Sequence, residues 1–140
     1  METRRLTLTL ATSSRTIFNF LADIENLPEW TDGLCEWIEL HSEGWWAYSA
    51  LGELAVETKV DDIAGEIDLR LRHVSGWVAV IPLSVQSDGA VGTIVRLTCR
   101  QCAGMSEDDY ERLCAAFLAG LRALAVRSRQ ELAEPILRRK

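Results

Sequence analysis

The sequence is poor in the features by which chemistry usually declares itself. It has only two histidines, and its nine glycines are scattered instead of gathered into a phosphate-cradling loop. There is no Ser-His-Asp order and no HExxH pair. Positive charge is also scarce: 15 Lys and Arg stand against 21 Asp and Glu, for a net charge of −6 and an isoelectric point near 4.9. That balance excludes the clustered basic face on which phosphate contacts depend, so nucleic acid is not an expected partner. The basic end Arg138-Arg139-Lys140 is too short to reverse it. Long apolar runs are missing as well. The longest, Trp77 to Leu83, contains Pro82 and falls far short of the ~18 residues of a spanning helix, so no membrane span is expected. Met1 to Leu10 alternates polar and apolar residues, unlike the continuous core of a signal peptide, and the expected location is cytoplasmic. Cys35, Cys99, Cys102 and Cys114 are then expected as reduced thiols, without a disulfide frame.

What remains is an ordinary globular composition, 48% apolar and 26% charged, with five tryptophans as the unusual component. A chain of 140 residues suits one domain, expected over 1–140, that buries about two-thirds of its unfolded surface. Leu6, Leu8 and Leu10 alternate with threonines, which predicts a half-buried strand over 4–10. Ser13 can cap a short helix carrying Ile17, Phe18 and Leu21, and Leu27-Pro28-Glu29-Trp30 makes a second helical turn before Thr31-Asp32-Gly33. From Leu34 to Gln101, runs of strand character broken by glycine or acidic turns predict six antiparallel strands. Ile67, Leu69 and Leu71 alternate with charges, so one sheet face is wet. Pro82 cannot donate to a ladder and predicts a bulge or bend. Beyond Ser106, a cap with Asp109 three residues on, the period becomes helical. Tyr110, Leu113, Cys114, Phe117, Leu121, Leu124 and Ser128 trace one stripe of a helix expected to stop before Pro135, and Gly120 within it implies a close approach to the sheet.

This order of strand, two short helices, six-strand meander and long amphipathic helix resembles the START-like, or helix-grip, superfamily (SRPBCC), which includes polyketide cyclase-like and lipid-transfer members. The residues that carry the resemblance are Ala11-Thr12-Ser13-Ser14 to Ile17-Phe18, the stretch Asp23-Ile24-Glu25-Asn26-Leu27-Pro28-Glu29-Trp30, and the closing helix Phe117 to Leu124. It implies an α+β fold in which a curved, seven-stranded antiparallel sheet wraps the C-terminal helix around an apolar cavity. Trp30 would be a rim residue.

Alternation then nominates the lining. Val56, Leu69, Leu71 and Leu97 from the strands, with Phe117 and Leu121 from the helix, would face the cavity. Trp77 shares parity with Ala79 and Ile81, and would line or fill it. In Trp45-Trp46-Ala47-Tyr48, adjacent side chains point to opposite faces. Trp46 and Tyr48 are taken as pocket residues with Trp45 toward a partner; the alternative is core packing with one surface aromatic. His73 has inward parity and is the candidate acid or base, or else a strand-end histidine bonded to backbone. Glu39 and Glu57 are further candidates for internal acids. Cys99-x-x-Cys102 has metal or redox spacing, but a lone pair lacks the four ligands of a zinc site, and neither a metal nor a cofactor is expected. Arg70, Arg72, Arg96 and Arg100 read as a solvated face.

The leading expectation is a module that binds or carries a small hydrophobic or aromatic molecule. A cyclase- or dehydratase-like enzyme and a co-chaperone-like interaction domain are the alternatives. A homodimer is left open.

Overall fold

A computed structural model describes residues 2–32, 34–89 and 92–138, with side chains to residue 129. Gly33 of the expected turn and Arg139-Lys140 of the basic end lie outside the described residues. The N-terminal alternation forms β1 (Thr3–Leu10), and Ser13 accepts from the Thr16 amide at 3.3 Å to start α1 (Ser14–Ala22). A 3-10 turn at Ile24–Asn26 leads into α2 (Leu27–Trp30), with Pro28 in its first turn, where a missing N–H costs nothing.

The six further strands are β2 (Cys35–His41), β3 (Gly44–Ser49), β4 (Gly52–Asp61), β5 (Glu66–His73), β6 (Val78–Asp88) and β7 (Gly92–Arg100). All pairs are antiparallel, in the order β1-β7-β6-β5-β4-β3-β2, so the chain's first strand pairs with its last and β1 and β2 are the two edges. The seven-stranded sheet and long C-terminal helix expected from the sequence are both present. Pro82 keeps regular register with Asp68 of β5, but the ladder from β6 to β7 begins only at Leu83. The missing donor therefore falls where that ladder stops, and no register shift is needed. Gly65, in the β4–β5 turn, sits against β6: a Cβ there would lie 2.5 Å from the Val85 carbonyl oxygen.

α3 (Glu107–Arg138) begins at the expected cap, where Ser106 Oγ accepts from the Asp109 amide at 3.1 Å. It runs past Pro135 instead of stopping before it. A proline removes one hydrogen bond, yet its own φ is helical, so a final turn can continue beyond it. Its N-terminal half is fastened to the sheet by Tyr110, whose hydroxyl donates to the Cys99 carbonyl at 2.9 Å, and its Ser128 Oγ accepts from the Ala11 amide at 3.3 Å. These contacts lay α3 along β1 and β7.

Gly120 marks a close approach, but to α2 instead of the sheet. A Cβ at Gly120 would stand 1.9 Å from the Trp30 carbonyl oxygen, and beside it the Asp32 amide donates to the Ala116 carbonyl at 3.2 Å. Two backbones in contact leave no room for even a methyl group.

Candidate inner-face binding site

Strand parity divides the expected site residues cleanly. Val56, Leu69, Leu71, Trp77 and Leu97 face inward and are buried, as are Phe117 and Leu121 from α3 and Trp30 from α2. Together they form one apolar cluster in which the Trp30 ring lies 5.6 Å from that of Phe117. α2 touches β2 on one side and α3 on the other, so Trp30 stands between the helix-covered half of the inner face and the half nearer the β2 edge.

That second half is only partly covered. Leu40, Trp45, Val56, Leu71 and Ala79 are consecutive cross-strand partners on the inner face. Along this row exposure falls from 64% at Leu40, through a half-buried Trp45, to 4% at Val56 and 0% at Leu71. Val60, paired with buried Ile67, is 47% exposed at the far end of β4. Leu40 and Trp45 at one end of the inner face, and Val60 at the end of β4, thus leave apolar surface exposed beside the core.

The assignment of Trp46 and Tyr48 to the pocket is corrected by the register. Trp46 pairs with Glu39 and Ala55, and Tyr48 with Trp37 and Glu53, all on the outer face; Trp45 is the inward aromatic. Parity within a strand was certain, but its absolute sense was not: Ala47, small and fully buried, sets the inward face for Trp45. Outside, Tyr48 stacks on Trp37 at 4.7 Å and donates to Glu39 Oε2 at 3.0 Å, and His41 Nε2 lies 3.1 Å from the same oxygen. The Glu39 carboxylate holds the Tyr48 phenol above its ordinary pKa. Glu57 is also on the outer face, 3.5 Å from Arg70, so neither glutamate is an internal acid.

His73 does have inward parity, but it is occupied structurally. Its Nδ1 accepts from the Ser75 amide at 3.1 Å, which leaves Nε2–H to donate to the Leu51 carbonyl at 2.5 Å, and the ring stacks on Trp77 at 4.8 Å. No lone pair is left for a substrate proton, and His73 is corrected from candidate base to strand-end fastener.

A thiol pair lies beneath the first turns of α3. Cys99 and Cys114 are free thiols; Cys114 and burial hold the Cys99 thiol far above the ordinary thiol pKa, while the neighbouring Cys99 draws Cys114 below it. Both are sealed from solvent, and Arg4 lies across the Tyr110 ring at 5.1 Å while pairing with Glu2 and Glu111. No cluster of three or more potential metal ligands is found among the described residues.

Sequence reasoning also missed two inner-face features. The indole N–H groups of Trp30 and Trp77 are both buried without a hydrogen-bond partner among the described residues. The signal in the sequence was the number of tryptophans; only packing decides which of them find acceptors.

A seven-stranded antiparallel sheet that grips one long C-terminal helix defines a START-like helix-grip fold. Solved structures agree with it. The chain is similar to the Zhui aromatase/cyclase from Streptomyces sp. R1128, with a TM-score of 0.69 at 14% identity over 94% of this chain and 95% of that one. It is similar to a START superfamily protein from Mycobacterium smegmatis (TM-score 0.65, 17% identity, 91% and 97% covered) and to the XoxI protein of Bacillus cereus (0.72, 13%, 91% and 96%). No protein-family model and no curated protein sequence matches the chain. No helix of the described residues is long and apolar enough to cross a membrane.

Proposed function

We propose that the protein binds a small hydrophobic or aromatic molecule on the inner face of its sheet, admitted past Leu40, Trp45 and Val60. The graded row from exposed Leu40 to buried Leu71 carries this reading, because it joins solvent-facing apolar surface to the core on the one face that should be dry. Covering such surface is favourable by about 25 cal/mol per Å². An aromatase/cyclase with the same fold is in keeping with an aromatic occupant.

Room must be made, since Trp30 and Phe117 are packed together inside. The α2–α3 contact at Gly120 is too close to slide, whereas β2, though touched by α2, has a strand partner on one side only. Hinging of the β2–β3 hairpin is therefore the cheaper opening.

Binding is favoured over cyclase-like turnover by the polar groups inside. The buried hydroxyls of Thr31, Thr93 and Ser128 all donate to backbone carbonyls, and both His73 nitrogens are engaged. A protein-interaction role would use the opposite face, where Trp37 is 52% exposed. The two roles separate by mutation, because Trp37→Ser would impair only the outer face.

Titration with the neutral fluorescent probe N-phenyl-1-naphthylamine tests the proposal. Trp45→Ala is expected to weaken binding about tenfold through lost apolar contact, and Trp46→Ala, on the outer face, to leave it unchanged. Equal effects of the two substitutions would remove the inner face from consideration.

A further inference from the structure

We propose a second binding site on the outer face of the sheet, in the split between β6 and β7, that takes a small amphiphilic anion: an apolar body with one carboxylate, sulfonate or sulfate head held by Arg100. The site lies on the opposite side of the sheet from the inner-face cluster and does not depend on the binding proposed there.

The split follows from the sequence. Pro82 offers no N–H, and the ladder between β6 and β7 ends at Leu83 and Leu97. Beyond that point β6 stays with β5, pairing Val80 with Arg70 and Val78 with Arg72, while β7 stays with β1, pairing Thr98 with Arg5 and Arg100 with Thr3. Strands that keep different partners part from each other, and a depression of about 390 Å³ lies between them. That volume is within the range of sites that hold small molecules. Its apolar lining is Val78, Val80, Pro82 and Ala103, and Val80 is 47% exposed on what is otherwise the wet face of the sheet. Covering that surface is favourable for the same reason as on the inner face.

Charge selects the ligand. No carboxylate lines the depression among the described residues, whereas the Arg100 guanidinium and the Thr98 hydroxyl do. Arg100 Nε donates to Thr3 Oγ1 at 3.4 Å, and its two Nη groups have no partner among the described residues. Elsewhere in this acidic chain cations are met by carboxylates: Arg4 by Glu2 and Glu111, Arg15 by Asp62, Arg70 by Glu57 and Arg127 by Glu29. The adjoining depression, which shares Pro82 and Thr98, sets Arg5 and Arg96 against Glu66 and Asp68, so its charges balance and the anion's place is at Arg100. A guanidinium offers two parallel N–H groups to a carboxylate or sulfonate. At an exposed arginine such a pair is worth only up to about 1 kcal/mol, so a bare inorganic anion would gain little. A neutral hydrocarbon would leave Arg100 unused. The ligand that uses both parts of the site joins an anionic head to an apolar body.

The test compares 8-anilinonaphthalene-1-sulfonate with N-phenyl-1-naphthylamine, which has the same frame without the sulfonate. Cys102 lines the depression and is half-buried, whereas Cys35, Cys99 and Cys114 are buried. Its alkylation by N-ethylmaleimide, followed by peptide mass, therefore reports occupancy of this site without any variant. Saturating sulfonate probe is expected to slow Cys102 alkylation several-fold, and the neutral probe to leave the rate unchanged. Arg100→Gln should weaken the sulfonate probe about fivefold, and Val80→Glu, which puts a carboxylate on the apolar floor, should weaken it further. Both side chains are exposed, so neither variant threatens the fold, and both should bind the neutral probe as wild type does. Unchanged Cys102 alkylation at saturation, equal protection by the two probes, or a sulfonate affinity that Arg100→Gln leaves intact would overturn the second site, as would a complete lack of sulfonate binding. Failure of the neutral probe alone would remove the inner-face reading and leave this one standing.

Discussion

His73 illustrates how a single side chain changes meaning once its neighbours are known. Its inward parity suggested a base, yet one nitrogen accepts a backbone N–H and the other reaches the Leu51 carbonyl. His73→Ala should therefore lower stability by about 2 kcal/mol, by orphaning that carbonyl and unstacking Trp77, while probe affinity stays near wild type. Urea unfolding and the naphthylamine titration measure the two effects separately. Cys35 makes a different prediction. Burial, reinforced by Glu36, pushes its thiol up to about 11. Below the unfolded-state value near 9 the thiol is neutral in both states and has no pH-dependent effect. As pH rises from there toward 11 the unfolded chain loses the proton first, so stability falls by about 2 kcal/mol across that window. Cys35→Ala should flatten this part of the curve of unfolding free energy against pH, and an unchanged slope would assign the loss to other groups.

At the scale of elements, local sequence located most of what was found. Ser13 and Ser106 cap α1 and α3 as their spacing implies, because a cap is a contact made within a few residues. Alternation likewise identified the dry side of β5. Two expectations failed where a partner outside the element decides. α3 continues beyond Pro135, and Gly120 faces α2 instead of the sheet. Gly120→Ala is a direct test of that contact. In an isolated helix it would be stabilising by about 1 kcal/mol. Here the added methyl must displace the Trp30 carbonyl, and a net loss of at least about 2 kcal/mol is expected, with a shift in Trp30 fluorescence as α2 moves away. Stabilisation instead would mean that α2 and α3 are not held in contact.

For the whole molecule, the asymmetry of the sheet is the main consequence. β1 is anchored through β7 and α3, whereas β2 is an edge with Leu40 and Trp37 exposed on opposite faces. Amide exchange should accordingly be faster in β2 and β3 than in β5 to β7, and a bound naphthyl probe should slow it selectively at the hairpin. Uniform protection across the sheet would exclude the hairpin as the route of entry. The sequence by itself determined the order of elements, the one-sided burial of β5 and the apolar stripe of α3, because each follows from the chain's own period and nearby caps. Only the tertiary structure decided that Trp45 and not Trp46 faces inward, that His73 is engaged, and that Trp30 keeps an unanswered donor. Those outcomes depend on which residue of a distant strand or helix arrives opposite, and periodicity within one segment carries no information about its partner.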